Sequence, residues 1–92
     1  MQFEYDPNKS DSNLEKHGID FEEAQELWND EWRLSALVRR KGEERTLLIA
    51  RYAGSLWTAI CVSRDDATRI ISVRRSTKEE AKYYDRCRND FT

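Results

Sequence analysis

Residues 46 to 73 read TLLIARYAGSLWTAICVSRDDATRIISV, three apolar runs divided by Gly54-Ser55 and by Asp65-Asp66. Each run is short, rich in β-branched and aromatic residues and bounded by turn formers, which marks strands. TLLIARY and LWTAICV are too continuously apolar to lie at a sheet edge, where one face would be wet. So few residues separate the runs that neighbouring strands must be antiparallel, since a parallel crossover needs a dozen residues or more. A meander results.

Toward the N-terminus the period of two continues. Trp32, Leu34, Ala36 and Val38 alternate with Arg33, Ser35 and Arg39, which predicts a strand with one wet face, ending in RRKGEE around Gly42. Before it the period turns helical. Asp20 is an N-cap with Glu23 at N3, Ile19 is placed to staple onto Ala24, and Phe21, Ala24, Leu27 and Trp28 form an apolar stripe. That helix should end near Asp30. Asp6-Pro7 opens an earlier helix over about residues 7–17, which Gly18 closes as a left-handed cap. After the strands, Ser76 and Glu79 make an S-x-x-E capping box for a last helix carrying Tyr83 and Tyr84. The expected fold is α+β: two N-terminal helices, a four-stranded antiparallel sheet and a C-terminal helix, in one domain over residues 1–92.

With 38% hydrophobic and 37% charged residues, and seven of ten aromatics being Trp or Tyr, the core should be thin and the fold should lean on a partner. No apolar run approaches the roughly 20 residues that span a bilayer, and MQFEYDPNK has neither the basic nor the apolar region of a signal peptide. A cytoplasmic protein that does not engage a membrane is expected. Cys61 and Cys87 fit neither a CxxC nor a zinc spacing and only one histidine is present, so reduced, packed thiols and no metal site are expected.

The net charge of −2 conceals a division. Residues 1–31 carry ten acidic and two basic side chains, whereas residues 32–92 carry eight acidic and fourteen basic, eleven of them arginine. Arginine's planar fork suits bidentate phosphate contacts. The sparser alternative is that the acidic N-terminal helices fold back and neutralise the basic sheet.

Four stretches are similar to the BrnT family of bacterial type II toxins: FEYDPNK at 3–9, NLEKHGIDFEEA at 13–24, GEER at 42–45 and SRDDATRIISVRRSTKEEAKYY at 63–84. Residues 29–41 depart from the family pattern, which tends to an Asp-Pro step there. The resemblance implies a RelE-like ribonuclease that cleaves RNA without metal or other cofactor and inhibits translation and growth. It further implies a cognate antitoxin with a ribbon-helix-helix domain, through which alone operator DNA would be contacted. Two other readings use the same arginines: a non-catalytic module binding RNA or a partner, and a corepressor acting inside a DNA-bound complex.

Cleavage of this kind uses the 2′-OH as nucleophile and asks the protein for a base, an acid and positive charge for the phosphorane. Arg64, Arg74 and Arg75 are the expected phosphate-stabilising cations. The 65–68 turn, however, sets Arg64 beside Arg69 and sends Arg74 and Arg75 to the opposite end of the strand pair. Glu80 and Tyr83, three apart on one helix face, are candidates for base and acid. Glu80 as a first-turn charge facing the helix dipole, and a tyrosine packed on the sheet, are the structural alternatives. His17, of the type that ordinarily titrates near neutrality, is a further candidate, though the last turn of a helix suits a histidine for structural reasons alone. Lys16, Arg51 and Arg69 complete the set as substrate-binding residues.

Overall fold

The computed structural model describes residues 1–90. The elements in order are β1 (Gln2–Glu4), α1 (Pro7–His17), a 3-10 helix (Glu23–Asn29), β2 (Leu34–Arg40), β3 (Glu43–Tyr52), β4 (Ser55–Arg64), β5 (Ala67–Arg75) and α2 (Lys78–Asp90). The class is α+β. The expected arrangement of two N-terminal helices over four antiparallel strands is corrected in two respects. The sheet has five strands in the order β1-β5-β4-β3-β2, and β1 pairs in parallel with β5, Gln2 opposite Ala67 and Glu4 opposite Arg69. Three residues are too few to show a period, and their partner lies over sixty residues away, so β1 leaves no local signal in the sequence.

The second correction concerns the helix after Asp20. Asp20 Oδ1 accepts the Glu23 N–H at 2.7 Å, but the helix begins only at Glu23, so Glu22 and not Asp20 stands at its N-cap. The turns that follow tighten: Gln25 N–H reaches Glu22 O and Asp30 N–H reaches Leu27 O, both three residues back. Phe21, Ala24 and Leu27 are all buried. Their spacing of three is the eclipsed period of a 3-10 helix, not the 3.6 of the expected α-helix.

Three tight hairpins join β2 to β5, and two of them place consecutive residues at positive φ: Lys41 (53°) with Gly42 (76°), and Ala53 (51°) with Gly54 (81°). Both pairs match the type I′ turn, whose twist suits a two-residue hairpin. β3 and β4 are interior strands, as their apolar runs required. β2 is the open edge, and its expected half-buried face does not form. Residues 35–40 are all exposed, Leu37 by 71%, because the β2–β3 hairpin extends past the helices.

The two faces of the sheet differ. Leu48, Ala50, Trp57, Ala59, Cys61, Ile70 and Val73 pack with Ile19, Phe21, Ala24 and Leu27 into the core. Phe3 adds an edge-on contact to Trp28 (4.8 Å between centroids) and Tyr5 one to Phe21 (5.8 Å). Cys61 is free, and burial pushes its thiol up to about 12. α1 closes the side of β5 beyond β1. Asn13, buried on α1, donates to Val73 O (2.9 Å) and accepts from Val73 N–H (3.2 Å), pairing with β5 as a neighbouring strand would. The opposite face is crossed by α2, whose Glu80 meets Thr58 and whose Tyr84 lies against Arg51.

Candidate functional site

β4 and β5 reach that second face through alternate residues. Register sets Arg74 opposite Thr58, Ser72 opposite Ile60, Arg69 opposite Val62 and Ala67 opposite Arg64, with a bulge between Ile60 and Cys61 keeping both strands in phase. Arg64, Arg69 and Arg74 therefore share one face. From the level of Thr58, Arg69 lies about 13 Å and Arg64 about 20 Å along the strands at roughly 3.3 Å per residue. The expected separation of Arg64 and Arg69 from Arg74 holds in length, while the alternation puts all three on one surface. Arg75 alternates to the other side, its guanidinium carbon 5.0 Å above the Trp57 ring and Nη1 donating to Ser55 Oγ at 3.0 Å.

The helix start fixes Arg74. Ser76 is still tied to the sheet, its N–H donating to Leu56 O (3.0 Å) and its hydroxyl 2.8 Å from Thr58 Oγ1. The capping box is accordingly Thr77–Glu80 and not Ser76–Glu79: Thr77 N–H donates to Glu80 Oε1 (2.8 Å), and Glu80 N–H to Thr77 Oγ1 (3.2 Å). From that anchored position Glu80 takes both prongs of Arg74, at 2.8 and 3.0 Å, and the Thr58 hydroxyl at 2.9 Å. The Arg74 bonds, helped by the Thr77 and Thr58 donors, outweigh burial and hold the Glu80 carboxyl down at about 2. Arg74 is correspondingly raised. A carboxylate so engaged stays ionised near neutrality and is a weak proton acceptor.

Arg74 is one wall of a groove of about 190 Å³ whose other lining residues are Val38, Arg40, Arg45, Leu47 and Ile60. The sequence reading missed Arg40 and Arg45. Their signal lay in the alternation, since each stands on the same side of its strand as Val38 or Leu47. Among the described residues no arginine forms an ion pair with the acidic segment 1–31. Arg39 and Arg45 meet glutamates of their own hairpin, Arg74 meets Glu80, and Arg40, Arg64 and Arg69 meet none. The N-terminal acids therefore do not neutralise the basic sheet through contact.

The other candidates distribute as follows. His17 and Lys16 line a groove of about 260 Å³ with Lys9, Ser12, Asn13, Ile71 and Ser72, so they border the arginine face through Ser72. Tyr83 is 55% exposed, one helix face with Glu80, while Tyr84 is buried. Arg51 is not brought to the others. Its guanidinium lies 5.8 Å from the Tyr84 ring, in a cleft of about 560 Å³ that also takes in Asp30, Trp32 and Arg88. Asp30 organises that cleft, accepting from Trp32 N–H (2.9 Å), Arg51 N–H (2.8 Å) and Tyr84 OH (2.7 Å). Burial works against its charge, but those donors win and its pKa falls.

Among the described residues no helix is long and apolar enough to cross a membrane. Among curated proteins none matches this chain. A family model does: the one described as ribonuclease toxin, BrnT, of type II toxin-antitoxin system aligns with residues 5–80, from α1 through β5 to the Thr77–Glu80 cap that holds Arg74. The chain belongs to that family of type II ribonuclease toxins.

Proposed function

We propose that the protein is a metal-independent endoribonuclease whose active surface is the arginine-bearing face of the sheet, and that it inhibits translation until a ribbon-helix-helix antitoxin covers that face. The observation that carries this reading is the two-pronged Arg74–Glu80 pair beside an open groove. Glu80 aims the guanidinium and keeps it from swinging, so its outer edge is preorganised for the charge that develops on phosphorus. In the reaction the 2′-oxygen bonds to phosphorus while the bond to the 5′-oxygen breaks. A base removes the proton of the 2′-OH, and an acid supplies one to the departing 5′-oxygen. Arg74 holds the reacting phosphate, and Arg69 and then Arg64 meet the phosphates that follow along the strand. Glu80 acts through Arg74, which leaves the proton transfers to His17 and Tyr83 at the rim. Lys16 touches the RNA backbone beside His17.

The purified protein incubated with RNA in EDTA should yield fragments ending in 2′,3′-cyclic phosphate or 3′-phosphate. Cleavage that stops on chelation, or leaves 5′-phosphates, would overturn the mechanism. A non-catalytic role would appear as RNA binding with no new ends. Adding the antitoxin should displace RNA bound to an Arg74→Ala variant.

A further inference from the structure

The groove beside Arg74 has a composition that phosphate binding alone does not require. Its floor is aliphatic, with Val38 on β2, Leu47 on β3 and Ile60 on β4. Three strands about 4.8 Å apart give such a floor a width near 10 Å, enough for the two fused rings of a purine. At the β2–β3 end the walls turn polar. Arg40 and Arg45 line both this groove and an adjoining hollow of about 210 Å³ shared with Lys41 and Glu43. Arg45 Nε is shut off from solvent and has no hydrogen-bond partner among the described residues, while Nη2 contacts Glu43 Oε2 at 3.2 Å. A guanidinium with an unused donor, beside a carboxylate with acceptor capacity left, presents two donors followed by two acceptors.

Guanine presents the complementary series around two adjoining edges: the acceptors N7 and O6 on its Hoogsteen edge, then the donors N1–H and N2–H on its Watson–Crick edge. Adenine interrupts it, because its N6 is a donor where O6 accepts. We propose that the Val38–Leu47–Ile60 floor with Arg45 and Glu43 is a guanine-selective subsite for RNA, holding the base next to the phosphate bound by Arg74. The inference rests on the ribonuclease reading for its place in a reaction, but not for its ligand. Arg45 shifts toward the base edge so that Nε and a terminal nitrogen meet N7 and O6, and Glu43 receives N1–H and N2–H. Arg40 offers its charge to the neighbouring phosphate.

The test is a titration of the full chain with GMP, AMP, CMP and UMP, following the methyl resonances of Val38, Leu47 and Ile60. GMP should move them and bind about tenfold or more tightly than AMP, the discrimination one good bidentate pair provides. Arg45→Ala and Glu43→Gln should each bring that ratio near unity, and Arg45→Lys should restore little of it because an ammonium lacks the fork. Lys82→Ala, on the exposed side of α2, should leave the ratio unchanged. Shifts without base preference, or a preference that survives both Arg45→Ala and Glu43→Gln, would overturn the subsite. A second arm maps cleavage on a mixed-sequence RNA, where cuts should cluster beside guanines for the wild type and spread for Arg45→Ala. Selective GMP binding with no cleavage would sink the ribonuclease reading and leave the subsite standing. Cleavage indifferent to guanine would do the reverse.

Discussion

Leu47 and Leu48 are consecutive residues of one strand, yet they serve opposite faces of the sheet. Leu48 is 1% exposed beneath the 3-10 helix, while Leu47 stands half-buried in the floor of the arginine groove. The pair Arg74 and Arg75 repeats the division on β5, one ion-paired to Glu80 at the groove, the other lying over Trp57. One face therefore holds most of the core, and the other keeps aliphatic and cationic groups open to a ligand. A period of two is what allows a sheet this small to do both.

That division can be broken first through stability. Leu48→Ala should cost about 2–5 kcal/mol, as emptying a close-packed site does, whereas Leu47→Ala should cost about 1 kcal/mol or less because water already reaches that side chain. Urea unfolding of both variants measures this. Equal losses would mean that the groove floor belongs to the core.

The next effect is on activity. Arg74→Ala should lower RNA cleavage by about 10²–10³-fold, the loss seen when one preorganised donor to a developing oxyanion is removed. Arg74→Lys should recover little, since it keeps the charge but not the two bonds to Glu80. Single-turnover cleavage at saturating RNA separates this from weaker binding. A loss confined to affinity would make Arg74 a binding residue only.

These contrasts also explain what the sequence let one read. Interior strands, hairpin turns and the helix over Pro7–His17 were legible because each rests on a local pattern of period, cap or turn residue. β1 was not, because its pairing with β5 is parallel and distant in the chain. The shift of the capping box from Ser76–Glu79 to Thr77–Glu80 was equally hidden, since both pairs satisfy the same spacing. The choice fell to Ser76 through its bonds to Leu56 and Thr58, residues of another strand. In the site, the arginine surplus was visible while the face of each arginine depended on register. Arg40 and Arg45 carry no local mark for that reason, and nothing near Arg51 in the chain tells that it lies in a different cleft, against Tyr84 and Arg88 of α2.

pH sharpens the comparison at Glu80. Its folded carboxyl is held at about 2, below the 4.5 of a free glutamate, so the stabilisation is fully present above about pH 4.5 and is lost as pH falls toward 2. The size is on the order of 1–3 kcal/mol once solvent screening at partly exposed Arg74 is allowed for. Urea midpoints of the wild type and Glu80→Gln should differ most near neutrality and converge as pH falls through that window. A constant difference would assign Glu80's contribution to capping rather than to charge.

The smallest expected effect belongs to Arg75, and it tests the face assignment most directly. Arg75 is exposed and makes two contacts, over the Trp57 ring and with the Ser55 hydroxyl. Trp57 is 6% exposed, so the guanidinium covers an indole that the core already holds. Removing an exposed cation from a ring costs about 0.5–1 kcal/mol, and Arg75→Ala should move the urea midpoint by no more than that. RNA cleavage should change by less than about threefold, because the lost charge lies on the side of the sheet away from the groove and is screened by solvent. Arg75→Lys should behave as wild type. If Arg75→Ala instead abolished cleavage as fully as Arg74→Ala while unfolding normally, the RNA would have to wrap the end of β5 and contact both faces, and the single-surface site would be wrong.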